Sequence, residues 1–163
     1  MRFIEVRKGD EALIEELSSL ATKIVREHYE PILGTVQNEY MLEKFQSVKA
    51  IKGQLEDGYL YYLLDDEGYL GFAGFYPREE DLYLSKLYLL KEERGKGYGK
   101  ALMDFVVSKA EEYGKDSVVL NVNRYNDGSI AFYERYGFTR IREEDNDIGH
   151  GYFMNDYVYR YKV

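Results

Sequence analysis

LYLLKEERGKGYGKALMDFVVSKAEEYG, residues 87–114, sets three glycines at alternate positions between an apolar run and an amphipathic one. Backbone at Gly95, Gly97 and Gly99 can approach a ligand closely, because glycine has no Cβ and tolerates positive φ. A helix starting there presents N–H groups and a positive dipole end, which favour an anion such as a phosphate. Two known phosphate loops fail against the letters. A P-loop ending at Gly99-Lys100 needs a glycine where Arg94 stands and a hydroxyl where Ala101 stands. A dinucleotide fingerprint meets Lys100 or Leu102 at its third glycine. The stretch is therefore a phosphate loop of another type, or a turn.

Working outward, the flanking sequence alternates strand and helix patterns. RFIEVR reads as a first strand. Asp10 then caps a helix with apolar Leu13, Leu17, Leu20, Ile24 and Val25 at helical spacing, expected to end before Pro31. VQNEYMLEKF is a second helical region, and Ser47 caps a third, VKAIKGQLEDG. YLYYLLDDEGYLGFAGFYP reads as two strands around a turn at 65–68, and DLYLSKLYLL is the strand that feeds the glycine loop. The helix after the loop closes at Gly114. SVVLNV is a buried strand, NDGSIAFYERYGF a short helix ended by Gly137, and TRIREE and YFMNDYVYRYKV are two final strands. No repeat or linker divides the order, so residues 1–163 are expected to form a single mixed α/β domain.

Composition narrows the function classes. With no cysteine there is no disulfide framework, thiolate metal site or thiol nucleophile. The charged N-terminus is neither signal nor transit peptide, and no apolar run approaches the roughly 20 residues of a membrane span. A cytoplasmic protein without membrane partners is the expectation. A net charge of −8 opposes nucleic acid and suits cationic partners. Eighteen tyrosines and no tryptophan supply apolar bodies with polar tips, suited to wet pocket walls as well as to core.

Two stretches together match one family. LYLLKEERGKGYGKAL resembles the acyl-CoA-binding motif of the GNAT superfamily of N-acetyltransferases, and LNVNRYNDGSIAFYERYGF resembles that family's second motif, with Ser129 in place of the usual alanine. The resemblance covers residues 82–138 at the level of motif. It implies the GNAT fold: a central, mostly antiparallel sheet of about seven strands, splayed between the strands at 82–90 and 117–123 and flanked by helices. It also implies acetyl-CoA as cofactor and coenzyme A as product. Carried over by position, the amides from Arg94 through Gly95, Lys96, Gly97, Tyr98 and Gly99 to Lys100 cradle the pyrophosphate. The backbone of Leu87, Tyr88 and Leu89 faces the thioester and the pantetheine arm, Leu87 as an oxyanion-type donor. Asn126 and Ser129 lie along the cofactor arm, although asparagine there is also a plain helix cap. Tyr133 matches the tyrosine that hydrogen-bonds to, or protonates, the departing thiolate.

The family's general base does not carry over. Histone-type members have a glutamate where this chain has Tyr83, and many members acting on protein N-termini have one where it has Asn121. A water chain ending on His28, Glu30 or His150 is one route, although a lone surface histidine is usually only that. The acceptor side is expected from the first two helices and the loop near His150, with His28, Tyr29, Glu30 and Tyr76 as candidates. The resemblance is to the bacterial branch that includes spermidine and spermine acetyltransferases. It implies a small-molecule primary amine as substrate, polyamine first. An amino acid, an aminoglycoside, a protein N-terminus, or a domain that binds acyl-CoA without turnover are the alternatives. A homodimer is compatible with it, and no metal is called for.

Overall fold

The computed structural model describes residues 1–163. Its elements are β1 (Arg2–Val6), α1 (Glu11–Leu33), α2 (Thr35–Phe45), α3 (Val48–Glu56), β2 (Leu60–Asp65), β3 (Tyr69–Pro77) and β4 (Asp81–Leu89), then a 3-10 turn (Lys91–Glu93), α4 (Tyr98–Glu112), β5 (Ser117–Asn123), α5 (Asp127–Tyr136), β6 (Thr139–Gly149) and β7 (Tyr152–Lys162). The strands hydrogen-bond in the order β1-β2-β3-β4-β5-β7-β6. β4 and β5 pair in parallel, whereas β1 with β2, β2 with β3, β5 with β7 and β6 with β7 pair antiparallel. This is the expected mixed, mostly antiparallel seven-stranded sheet with helices. No helix is long and apolar enough to cross a membrane.

The chain divides into two compact units, Met1–Tyr76 with Lys86–Met103, and Pro77–Ser85 with Asp104–Val163. In the first, Ile14, Leu17, Ala21 and Ile24 recur at helical spacing on α1 and pack with Val6, Ile51, Tyr61, Leu63 and Phe72. Ser47 caps α3 by accepting the Ala50 N–H at 3.1 Å. Two details differ from the sequence expectation. Asp10 sits at the start of α1 but its carboxylate accepts the Arg7 N–H rather than a helical one. And α1 does not stop before Pro31 but runs to Leu33. Proline forfeits one backbone bond, but only about half a turn of helix remains beyond it, and Gly34 N–H then closes on Glu30 O at 2.9 Å.

The second unit begins with the β4–β5 ladder, whose register runs from Asp81↔Ser117 to Leu84↔Leu120. β5 continues into β7 from Ser117↔Lys162 to Asn123↔Asp156, and β7 into β6. β6 extends well past the TRIREE segment, to Gly149. Its residues Thr139–Glu143 are all exposed and charged or polar except Ile141, so the alternation that marks a half-buried strand is missing. Backbone pairing to β7 makes this strand.

One buried charge stands out in the first unit. Lys86, on β4, is only 5% exposed. Its Nζ donates to Phe45 O, to Gln46 Oε1 at 3.0 Å and to Gln54 Oε1 at 3.2 Å, and lies 5.2 Å from the Tyr61 ring centroid. These acceptors belong to the α2–α3 junction and α3, and none is a carboxylate. Burial pushes the Lys86 ammonium down to about 7. Between there and the ordinary value of about 10.4, the folded chain binds fewer protons at this site than the unfolded chain, so stability rises with pH. Urea unfolding of the wild type and Lys86→Met should therefore show a stability difference that shifts in favour of the wild type by about 2 kcal/mol between pH 7 and pH 9. A difference that stays constant across that range contradicts the lowered lysine.

Candidate active site

The glycine loop lies in the first unit and is built from β4 outward. Gly71 on β3 makes room for β4: a Cβ there would meet the Tyr88 carbonyl oxygen and stand 2.7 Å from Leu89 Cδ2. Leu90 N–H donates to Leu70 O at 2.9 Å. After the 3-10 turn, Gly95 and Gly97 take φ of 77° and 89°, where L-residues are strained. That pair turns the chain into α4 at Tyr98, whose first helical bond is Ala101 N–H to Gly97 O at 3.1 Å. The amides just ahead of it thus gather at a helix N-terminus bordered by Cβ-free positions, an anion-favouring arrangement. Tyr98 anchors the helix start, its hydroxyl donating to Asp66 Oδ2 at 2.6 Å. That bond holds the Asp66 carboxyl below the ordinary aspartate range and raises the phenol. Lys96 pairs with Glu93 at 3.1 Å, while Arg94 and Lys100 are exposed. Leu87, Tyr88 and Leu89 are half-buried on β4, with Tyr88 against Phe72 and Tyr29.

The second motif lies in the other unit. Asn126 is buried and its side chain accepts the Ser129 N–H at 3.3 Å, so it serves as the N-cap of α5. Tyr133, two turns on, is 8% exposed with its ring packed on Phe132 and Phe138. The helix closes at Gly137 with φ 122°. The same unit contains a polar chain that no local sequence pattern marks. Tyr83 and Asn121, the two positions without the family glutamates, are bonded to each other: Tyr83 Oη donates to Asn121 Oδ1 at 2.9 Å. Asn121 Nδ2 in turn donates to Glu144 Oε1 at 3.1 Å and Asp156 Oδ2 at 3.2 Å. Alternating strands bring polar residues to one face, but which of them is buried depends on pairing across β5, β6 and β7, which no local pattern fixes.

Of the four acceptor-side candidates, His28, Tyr29 and Glu30 are consecutive on α1 and Tyr76 is on β3. His28 and Tyr29 meet edge to face at 4.8 Å near the end of α1, and Glu30 accepts the Thr35 hydroxyl at 3.0 Å. Tyr76, on β3, packs on Tyr59 at 4.8 Å. His150 occupies the β6–β7 turn with φ 54°. A depression of about 440 Å³ lies along α1 beside Lys23, Arg26 and Glu27. Lys23 and Arg26 already pair with Glu92 and Glu39, which marks it as a solvated helix face.

Residues 21–138 match the acetyltransferase (GNAT) family. The chain is 38% identical over 80 residues to an uncharacterized N-acetyltransferase of Mycobacterium tuberculosis, covering 49% of this chain and 51% of that protein. It is 31% identical over 70 residues to a D-amino-acid N-acetyltransferase of Saccharomyces cerevisiae, covering 43% and 44%. The chain spans about half the length of the curated relatives it matches. Among solved structures it is similar in fold to the PaiA N-acetyltransferase of Thermoplasma acidophilum in complex with coenzyme A, with a TM-score of 0.80, 22% identity and 100% of both chains covered.

The close approach at Gly71 makes a direct test of the loop's foundation. Gly71→Ala should lower stability by roughly 1–3 kcal/mol through overpacking against β4, measured by urea unfolding, whereas Gly95→Ala meets no neighbour within 4 Å and carries only its backbone strain. Equal stability of Gly71→Ala and wild type would mean that β4 yields without loss.

Proposed function

Because the chain belongs to the acetyltransferase (GNAT) family, we propose that it transfers the acetyl group of acetyl-CoA to a primary amine, by direct attack of the amine nitrogen on the thioester. The observation that carries this reading is the turn through Gly95 and Gly97 into α4, at the family's acyl-CoA motif. A helix start bordered by glycines binds a pyrophosphate without needing particular side chains. In this reading the backbone from Arg94 to Lys100 holds the pyrophosphate, with Lys96 and Lys100 adding charge. Leu87 N–H polarises the thioester carbonyl, and the backbone of Tyr88 and Leu89 lies along the pantetheine. Asn126 and Ser129 hold the cofactor arm.

Tyr133 acts on the leaving group. A phenol's ordinary pKa lies roughly 1.5 units above a thiol's, so full proton transfer is uphill and a hydrogen bond to the developing thiolate is the larger effect. The acceptor in this reading is a polyamine. A net charge of −8 and exposed Glu27, Glu79 and Glu80 with half-buried Glu30 favour a substrate that keeps a second ammonium. An exposed carboxylate contributes around 1 kcal/mol to such a contact, and salt screens it.

Saturating acetyl-CoA should raise the melting temperature, since ligand at one hundred times its dissociation constant adds roughly 2.7 kcal/mol of stability. Gly97→Val should lose that rise while remaining folded. No rise for the wild type contradicts the cofactor reading. A thiol-release assay then separates the acceptors: spermidine should exceed a monoamine of similar length in kcat/KM at low salt, with the gap narrowing as salt increases. Binding without thiol release from any amine would mark an acyl-CoA-binding module instead.

Tyr133→Phe should lower kcat roughly 10- to 1,000-fold, the range of one positioned donor, and leave acetyl-CoA affinity nearly unchanged. An unaltered kcat with chemistry rate-limiting removes Tyr133 from the reaction.

A further inference from the structure

An amine acetyltransferase has to take a proton from its acceptor, because an alkylammonium with an ordinary pKa of about 10.4 has no lone pair for attack. Tyr83 and Asn121 offer no carboxylate. The chain they form nonetheless ends on two, Glu144 and Asp156, of which Asp156 is only 2% exposed. Asp156 Oδ2 accepts from Asn121, while Oδ1 is buried and unpartnered. Native proteins seldom leave such an oxygen unmet, because the loss is larger than an average hydrogen bond returns. A second unmet atom belongs to the same cluster: Arg124 Nε is also buried without a partner, while Arg124 Nη2 donates to Glu144 O and to Asp145.

Asp156 Oδ1 and Arg124 Nε are thus an unmet acceptor and an unmet donor, and the Arg124 charge acts on the Asp156 carboxyl. The position is also chemically apt. Asp156 is the register partner of Asn123, the last residue of β5, and Asn126, three residues later, is the N-cap of α5. Carboxyl ends of parallel strands are where α/β sheets bind ligands.

We propose that Asp156 is the base of the acetyl transfer, accepting through one water the proton that the acceptor ammonium loses before attack. This rests on the amine-acetyltransferase reading above. The ammonium gives one proton to the Asp156 carboxylate, and the neutral nitrogen forms the C–N bond as the C–S bond breaks. The nitrogen's second proton ends on the departing sulfur, so that coenzyme A leaves as the thiol, and Asp156 returns its proton to solvent before the next turnover. Desolvation raises the Asp156 carboxyl above the ordinary aspartate range. The charged groups around it are Glu144 and Asp145 on β6, which raise it, and Arg124 after β5, which lowers it together with the Asn121 hydrogen bond. Arg142 pairs with Glu144 at 2.8 Å, and Tyr83 on β4 reaches the cluster through Asn121.

The test is kcat/KM for acetyl transfer to spermidine from pH 5.5 to 9, in wild type, Asp156→Asn, Asp156→Glu and Glu144→Gln, with acetyl-CoA affinity measured in each. Asp156→Asn should lower kcat/KM by roughly 100-fold or more, lose the fall in rate that protonating the carboxylate causes at low pH, and bind acetyl-CoA as before. Asp156→Glu should restore part of the rate. Glu144→Gln should keep the low-pH fall but move it to lower pH, since one repelling charge is gone. Asp156→Asn within threefold of wild type with the same low-pH fall overturns the assignment while leaving the acetyltransferase reading intact. A wild type that releases no thiol with any amine overturns both. If Asp156→Asn does not fold, carboxyl carbon NMR of the intact protein decides: Asp156 should titrate above the ordinary aspartate range and shift when spermidine binds. Titration in the ordinary range, indifferent to spermidine, overturns the proposal.

Discussion

Three hydrogens of the Lys86 ammonium have to be accepted inside a core that contains no carboxylate to meet them, and the first unit is organised around that requirement. Phe45 O, Gln46 and Gln54 supply the acceptors, which fixes where α2 ends and how α3 begins relative to β4. The secondary contacts follow from the same point. Gln54 Nε2 donates to Phe45 O at 3.1 Å, Tyr61 donates to Gln54 Oε1, and Ser18 donates to Gln46 O at 2.7 Å, so α1 and β2 are tied in as well. Partly satisfied buried networks are strongly destabilising, and a network in which each member is held specifies one arrangement. The strand fixed in this way is the one that carries Leu87 and Leu89 and leads into the glycine loop.

The acidic cluster of the second unit works on the opposite logic. Lys86 has a full set of partners, whereas Asp156 and Arg124 each keep one atom unmet. A satisfied buried group holds structure, whereas an unmet buried atom calls for a water, an ion or a chemical role. The Tyr83 to Asn121 bond also bears on the absent glutamates. The two side chains satisfy one another, and the amide passes the connection to Glu144 and Asp156.

How much could be read from the letters depended on whether the cause was local. Gly95, Gly97, Gly114 and Gly137 were legible because each adopts a positive φ that few other residues tolerate, and each accordingly sits at a turn or helix end. Ser47 was legible because a cap acts within three residues. Pro31 misled because a proline's effect depends on how much helix follows it. β6 was legible only in its first residues because it has no apolar alternation and exists through its ladder with β7. Asp156 could not be singled out among 30 acidic residues, since its burial is a property of three strands meeting.

The outer position of β6 in the strand order has a consequence for how copies of the chain treat one another in a crowded solution. Its free edge offers backbone groups on which another strand could grow into a fibre or a clump. Along that edge the chain sets Arg140, Arg142, Glu143, Glu144, Asp145 and Asp147, with register breaks between Arg140 and Arg142 and between Asp147 and Gly149. An incoming strand would have to bury charged side chains and follow a ladder that breaks step twice. The residues that erased the strand's signature from the sequence are thus the ones that keep its edge from acting as a seed for aggregation.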